Sequence, residues 1–196
     1  MNYVVLEKIK FDSLSLKKQH RESYIDFSAI AKGYAVDIIT RYLDNKNLLN
    51  YFVEIGGEVR ASGKNISDKY WLVGVEDPKF SLSSDIFATV SLNNLSLATS
   101  GNYRNFYNLK DSLVYHTIDP KSGYPSRSNM LSASVFAKSC FIADAYATSF
   151  MALGFEKSKK IVSSIDGLDA LVVYINEEGD TTKYLSEGIR NSINLL

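Results

Sequence analysis

Two side chains with hard oxygen atoms stand four residues apart in residues 143–148, at Asp144 and Thr148. Residues with this spacing share one face of a helix, so a carboxylate and a hydroxyl lie side by side. Such oxygens suit Mg²⁺, which keeps several waters and takes substrate phosphate oxygens as further ligands. A buried hydrogen bond between the two side chains explains the same spacing. The pattern therefore predicts either a magnesium site or a polar contact within a helix.

Residues 26–37 predict a strand that ends at Ser28, followed by a helix that this serine caps. The free N–H groups of a helix start attract anions such as phosphate, and Lys32 adds a full positive charge. A capped amphipathic helix without a ligand is the alternative. Gly33 favours the functional interpretation. Glycine inside a helix lowers its stability by roughly 1 kcal/mol relative to alanine, so it is expected where another group approaches the backbone closely.

Two further segments are weaker signals. The pair Gly56-Gly57 lies between two strand-like runs, where a β-bulge or tight turn competes with close passage of the backbone beside a flat ring. Residues 99–103 follow a strand and contain Ser100, a glycine and a tyrosine, which a turn explains equally well. Neither segment indicates a function by itself.

Residues 116–125 begin with His116, one of two histidines, and continue through an Asp-Pro turn and a Gly-x-Pro turn. A histidine at a strand end beside a tight loop can act as a general base near neutral pH. A hydrogen-bonded structural histidine is the alternative. The segment predicts a tight loop in either case.

The elements that must position these residues are mostly strands. Alternating or β-branched runs predict strands at 3–11, 24–28, 51–55, 58–62, 70–75, 86–92, 114–118, 131–137 and 170–175. A period near four predicts helices at 30–43, 141–153 and 156–165. The strands do not alternate regularly with helices, so we expect an α+β fold of mixed or antiparallel strands with a few packed helices.

Composition limits the class of protein. The 196 residues, 45% of them hydrophobic, predict one domain spanning 1–196. Zero formal net charge, without clusters of either sign, argues against nucleic-acid binding. The single cysteine, Cys140, excludes an internal disulfide and a zinc site of paired cysteines. The sequence shows no signal peptide and no window of membrane-spanning length, so we expect the chain as given to be soluble and unexported.

Taken in order, five segments resemble the signature of the ApbE family of flavin transferases. They read DFSAIAKGYAVD at 26–37, GG at 56–57, SGNY at 100–103, HTIDPKSGYP at 116–125 and ADAYAT at 143–148. The match runs from about Lys8 to Gly154, and its first, fourth and fifth blocks are the specific ones. The resemblance identifies the chain as the C-terminal catalytic part of such an enzyme, with an ApbE-like α+β fold.

The resemblance implies a Mg²⁺-dependent FAD:protein FMN transferase, which attaches FMN from FAD to a threonine or serine of a redox protein and releases AMP. By this similarity Asp144, Thr148 and the Ala29 carbonyl hold Mg²⁺. Four residues would bind the substrate FAD: Asp26, Lys32, Ser100 and the main chain of Ile118. His116 would activate the acceptor hydroxyl. Two alternatives are a Mg²⁺-dependent FAD pyrophosphatase, which yields FMN and AMP, and a non-catalytic flavin-binding remnant.

The resemblance also implies partners. The acceptor would be a subunit of a membrane redox complex of the NADH:quinone reductase or Rnf type. Family members are usually half again as long, with an N-terminal region that contributes to the FAD pocket. We therefore expect a missing N-terminal half or self-association to cover apolar surface. The family suggests a periplasmic or inner-membrane-associated lipoprotein, although this sequence carries no export signal.

Overall fold

The computed structural model describes residues 6–78, 85–101, 106–109, 112–115, 117–119, 122–126 and 128–196. Its centre is a six-stranded antiparallel sheet with the strand order β12-β11-β10-β7-β4-β3. The six strands are β3 Tyr51–Ile55, β4 Glu58–Ser62, β7 Leu95–Gly101, β10 Met130–Ala137, β11 Asp169–Ile175 and β12 Thr181–Leu185.

A second antiparallel sheet of three strands has the order β13-β6-β5, where β5 is Trp71–Glu76, β6 is Ile86–Leu92 and β13 is Ile193–Leu195. Two short hairpins complete the described strands. They pair β1 Ile9–Phe11 with β2 Leu16–Lys18, and β8 Phe106–Leu109 with β9 Ser112–Tyr115. Short 3₁₀ helices occupy Leu6–Lys8 and Glu187–Ser192.

The central strands β10 and β11 are buried on both faces. Val135 and Val172 belong to a core on the helix side of the six-stranded sheet, whereas Phe136 and Leu171 belong to a core facing the three-stranded sheet. Alternate residues of a strand point to opposite faces, so a strand covered on both sides reads as a nearly continuous apolar run. The six-stranded sheet is therefore the middle layer, between the helices and the smaller sheet.

Three helices lie among the described residues, at α1 Ala31–Asn45, α2 Cys140–Leu153 and α3 Phe155–Ser164. Helix α2 packs on β10 and β7, and α1 packs on α2, β3 and β4. Ser139 caps α2, and Gly154, at φ 80°, separates α2 from α3. Among the described residues, none of these helices has the length and apolar character needed to cross a membrane.

Helix α1 buries a different face from the one its apolar period marks. Gly33, Val36 and Thr40 are buried. Tyr34, Ile38 and Tyr42 form an apolar stripe, because they recur at the period near four that predicts this helix, and they are 53%, 43% and 61% exposed. The stripe identifies the helix correctly, but small residues form the contact face, because α1 lies close against α2.

The predicted α+β class, antiparallel strands and three helices are confirmed, with helix bounds that differ by one or two residues. The predicted strand at 24–28 is wrong. Residues 23–27 have no regular structure and 28–30 form a turn, because the Asp26 carboxylate accepts hydrogen bonds from the Ser28 N–H at 2.8 Å and from its hydroxyl.

The prediction of Ser28 as the N-cap of α1 is also wrong, since Ile30 occupies that position and the Ser28 hydroxyl is bonded to Asp26. Other strand predictions need adjustment. Within 3–11 only Ile9–Phe11 is a strand among the described residues, and strands β2, β7, β8, β12 and β13 lie outside the predicted segments. Strand β7 extends through Gly101, so residues 99–103 begin inside a strand rather than after one.

Candidate functional site

A cleft of about 330 Å³ opens where α1 and α2 meet the ends of three strands. Four of the residues selected from the sequence line it: Lys32, Ser100, Asp144 and Thr148. The other lining residues belong to the turn before α1, the β3–β4 turn, the start of β4, and strands β5 and β7. They are Ser28, Gly56, Gly57, Glu58, Val73, Gly74, Val75, Glu76, Leu97, Thr99 and Gly101. Segments far apart in the sequence thus meet in one cavity.

Asp144 lies on α2 with only 3% of its surface exposed. Its Oδ2 accepts a hydrogen bond of 2.9 Å from the backbone N–H of Gly33, in the first turn of α1. The first N–H groups of a helix lack partners within the helix, so a carboxylate from another helix satisfies one of them. Burial raises the pKa of Asp144, while the Gly33 N–H and Lys32 oppose that rise.

Gly33 is glycine because α1 and α2 touch at this point. A Cβ atom there would lie 2.4 Å from the carbonyl oxygen of Cys140 and 2.8 Å from the Cβ of Asp144. Both neighbours are held by the backbone of α2, so neither can move independently of that helix. The predicted close approach is present, but the approaching group is a helix of the same chain, so helix packing explains this glycine and Gly33 itself gives no support for a ligand.

Lys32 and Glu58 form an ion pair at the edge of the cleft. The lysine Nζ lies 2.6 Å from Glu58 Oε2 and donates a 3.2 Å hydrogen bond to the carbonyl of Gly56. The glutamate side chain is 3% exposed, whereas the lysine side chain is 45% exposed. Burial raises the pKa of Glu58, the contact with Lys32 opposes this rise, and the charge of Asp144 adds to it. The lysine ammonium can therefore reach a ligand in the cleft while it neutralises a buried carboxylate.

The glycine pair forms the two-residue turn between β3 and β4. Gly56 and Gly57 have φ of 60° and 100°, and the flanking residues Ile55 and Glu58 pair across the hairpin. Two positive φ angles describe a type I′ turn, which glycine adopts without strain. The tight-turn interpretation is confirmed, and the same backbone also lines the cleft.

Hydroxyl groups line the opposite wall. Ser100 Oγ, on β7, lies 3.1 Å from Thr148 Oγ1 on α2, and Thr99 Oγ1 lies 2.8 Å from Ser134 Oγ. Thr148 does not bond to Asp144 among the described contacts, so the buried Asp–Thr hydrogen bond considered from the sequence is not formed. The hydroxyl of Thr148 instead bridges the helix and the sheet.

The residues of the cleft fit a hard divalent cation. Among the described lining residues, the carboxylates of Glu58 and Asp144 share the amine of Lys32, which is already paired with Glu58. A pyrophosphate brought into this cleft would meet the charge of the Asp144 carboxylate unless a cation accompanied it. Of the described residues only Gly33 donates to Asp144, and it uses Oδ2, which leaves Oδ1 for a ligand.

No group of three or more His, Cys, Asp or Glu side chains gathers as a metal cage within the described part of the chain. Mg²⁺ does not need one, because it commonly binds one or two carboxylates together with waters and substrate phosphates. The donor set around Asp144 is therefore compatible with Mg²⁺ and poorly suited to a structural zinc ion.

Three other described residues selected from the sequence, Asp26, Ala29 and Ile118, are not among the residues that line the cleft. Asp26 is exposed, and its pKa is lowered by the hydrogen bonds from the Ser28 side chain and backbone. Ala29 is half-buried in the turn before α1. Ile118 is 50% exposed and forms an isolated bridge with Pro125. His116 lies outside the described residues. The assignments of these four residues stay predictions.

Comparison with known proteins gives the family. The ApbE family model matches residues 1–172. The chain belongs to the ApbE family. The FAD:protein FMN transferase of Haemophilus influenzae is 35% identical over 185 residues, which cover 92% of this chain and 53% of that protein. The enzyme of the same name from Escherichia coli K12 is 35% identical over 169 residues, covering 86% and 47%.

Solved ApbE structures share the fold. The flavin transferase ApbE from Vibrio cholerae superimposes with a TM-score of 0.84 at 32% identity, over 96% of this chain and 59% of that one. The ApbE protein from Thermotoga maritima gives 0.80 at 28% identity, over 95% and 59%. This chain spans about half the length of the curated ApbE relatives it matches.

Sequence reasoning missed Glu58 as part of the ApbE cleft. Its segment was noted for the glycine pair alone, and a glutamate that begins a strand carries no signal of burial. Only its placement opposite Lys32 reveals it, because the two residues are 26 positions apart in the sequence. Cys140 has no role in the cleft: the thiol is fully buried at the start of α2, and burial raises its pKa well above the usual range.

Proposed function

We propose that this chain carries the pyrophosphate-cleaving centre of a Mg²⁺-dependent FAD:protein FMN transferase. The observation that carries the proposal is the convergence of Lys32, Asp144, Thr148 and Ser100 on one cleft. These residues come from three separate blocks of the family signature. Relatives named FAD:protein FMN transferase support the assignment at about 35% identity.

The reaction transfers a phosphoryl-linked group. The hydroxyl oxygen of an acceptor threonine or serine bonds to the phosphorus on the FMN side of FAD. The bond from that phosphorus to the bridging oxygen breaks, and AMP leaves with the bridging oxygen. The hydroxyl proton passes to a base, for which His116 is the proposed residue. Positioning and charge neutralisation contribute most of the catalysis in such reactions.

The residues of the cleft have separate tasks in this proposal. Lys32 contacts a pyrophosphate oxygen and offsets the charge that develops there. Asp144, Thr148 and the carbonyl of Ala29 hold Mg²⁺, which when bound supplies charge neutralisation on the phosphate oxygens. The Gly56-Gly57 turn offers backbone without side chains beside the ligand, and Ser100 orients the hydroxyl of Thr148.

The acceptor is proposed to be a protein subunit of a membrane redox complex, of the NADH:quinone reductase or Rnf type. Asp26 and the main chain of Ile118 are proposed to contact FAD. The pyrophosphate would occupy the cleft, and the rest of the dinucleotide would extend beyond it.

The test incubates the purified chain with FAD and Mg²⁺, with and without a candidate acceptor. AMP release is followed by chromatography, and the acceptor mass by mass spectrometry. A Lys32→Ala chain and a reaction with excess EDTA serve as controls. AMP release together with an FMN-sized mass gain on the acceptor supports the transferase.

Other results would replace the proposal. Free FMN and AMP without acceptor modification would identify a pyrophosphatase. Bound FAD without AMP under any condition would identify a flavin-binding protein. Turnover that persists in EDTA would remove the metal from the proposal.

A further inference from the structure

We infer that Asp37 is a positioning residue, which fixes helix α2 against α1 and thereby sets the location of Asp144 in the cleft. Its side chain is not among the residues that line the cleft, so it would act through α2. The inference rests on the proposed function only in its consequence for cation binding. The positioning of α2 by Asp37 does not depend on that function.

Asp37 lies on α1 and binds the start of α2 with both carboxylate oxygens. Its Oδ1 accepts from the N–H of Cys140 at 2.8 Å. Its Oδ2 accepts from the Ser139 hydroxyl at 2.6 Å and from the N–H of Phe141 at 3.0 Å. The first N–H groups of a helix carry partial positive charge, so a carboxylate at this point is favoured electrostatically as well as by hydrogen bonding.

The second attachment lies one helical turn away on both helices. Gly33 precedes Asp37 by four residues on α1, and Asp144 follows Cys140 by four residues on α2. The contacts pair Gly33 with Asp144 and Asp37 with Cys140. Two attachments in opposite order along the helices fix the position of α2 along α1, whereas a single one would allow it to pivot.

Helices α1 and α2 are in close contact between the two attachments. The Gly33 Cα lies so close to α2 that an added Cβ would meet the Cys140 carbonyl at 2.4 Å. A carboxylate that holds the N-terminus of α2 in this register therefore also aims the Asp144 side chain. Thr148, one turn further along α2, moves with the same helix.

The separation of a positioning role from ordinary helix capping needs a matched control, and Asn129 provides one. Its Oδ1 accepts a 3.2 Å hydrogen bond from the N–H of Phe155, the first residue of α3. Helix α3 contributes no residue to the cleft. Asn129→Ala therefore removes a side-chain cap of α3, together with the 2.9 Å hydrogen bond that Asn129 Nδ2 donates to the Ile175 carbonyl, without touching α1 or the start of α2.

The experiment compares the wild-type chain with Asp37→Ala, Asp37→Asn and Asn129→Ala. Three quantities are measured: the melting temperature, the hydrogen-exchange rate of the Gly33 amide by NMR, and the affinity for Mn²⁺ by electron paramagnetic resonance. The Gly33 amide reports directly on the register of α2, because its partner is the Asp144 carboxylate. Asp37→Asn keeps the size of the side chain and gives a measurable protein if the alanine variant fails to fold.

We expect faster Gly33 exchange in both Asp37 variants than in Asn129→Ala at matched loss of melting temperature. We also expect Mn²⁺ affinity to fall by roughly 10- to 100-fold, the range for residues that orient metal ligands. Unchanged Gly33 exchange and Mn²⁺ affinity in the Asp37 variants would overturn the inference and leave Asp37 as a helix cap only. Altered Gly33 exchange without Mn²⁺ binding in the wild-type chain would support the positioning role and refute the proposed cation site.

Discussion

Replacement of Gly33 by alanine sets two physical effects against each other. Alanine is the better helix former, and its intrinsic propensity alone would stabilise α1 by about 1 kcal/mol. The added methyl group, however, would lie 2.4 Å from the Cys140 carbonyl oxygen, 2.7 Å from its carbonyl carbon and 2.8 Å from Asp144 Cβ. Ordinary contacts of this kind are about 3.5 to 4.0 Å, so α1 and α2 must separate by roughly 1 Å.

The separation costs more than the propensity gains. Overpacking in a tight interior typically costs about 1 to 3 kcal/mol. The displaced Gly33 N–H would also weaken its hydrogen bond to the Asp144 carboxylate, and bonds to charged groups contribute about 1.5 to 3 kcal/mol. After the propensity gain is subtracted, we expect the free energy of unfolding to fall by about 1.5 to 5 kcal/mol.

Urea denaturation followed by circular dichroism measures this change. Ala35→Gly, two residues further along α1, calibrates the helix-propensity effect in the same helix. A Gly33→Ala chain with unchanged or increased stability would show that α1 and α2 do not touch at Gly33. The same result would show that no steric contact requires glycine at position 33.

Three further predictions concern the charged residues of the cleft. Asp144→Asn keeps an acceptor for the Gly33 N–H but loses the charge, so the proposed Mg²⁺-dependent FAD cleavage should fall by at least the roughly 10- to 100-fold seen when an outer-shell partner of a metal is lost, with little change in melting temperature. Unchanged cleavage would exclude Asp144 as a ligand. Lys32→Ala should weaken FAD binding in a fluorescence titration, whereas lost stability with normal FAD affinity would indicate a structural role only. Burial raises the pKa of Glu58 above its ordinary value of 4.5, so the native chain holds more protons than the unfolded chain just above that pH. The free energy of unfolding should therefore decrease as pH rises from 4.5 to the raised pKa. Urea titrations across that range should show a smaller decrease for Glu58→Gln. An equal dependence of the unfolding free energy on pH in both chains would contradict this prediction.

The sequence predicts the site best where one element carries the signal. The four-residue spacing of Asp144 and Thr148 predicts a shared helix face, and α2 carries both to the cleft. The glycine pair predicts a tight turn, and its two positive φ angles confirm it. These inferences depend on local geometry, which residue spacing records directly.

Contacts between distant segments are not available from one sequence. The Asp144 carboxylate meets the Gly33 N–H across 111 positions, and the Asp37 carboxylate meets the Cys140 N–H across 103. A local side-chain hydrogen bond also explains the wrong strand prediction at 24–28. The Asp26 carboxylate accepts from the Ser28 N–H, and the strand-like run forms a loop. Tertiary partners of this kind decide which polar residues act in the site and which only hold it.

The buried thiol of Cys140 can report on the opening of α2 from the sheet. It is the only cysteine in the sequence, and its Sγ donates a 3.6 Å hydrogen bond to the carbonyl of Val59 on β4. Because the thiol is fully buried and its pKa is raised, thiol reagents can modify it only when the start of α2 separates from its neighbours. The rate of its modification in native buffer therefore measures how often the start of α2 opens, without any added label or substitution.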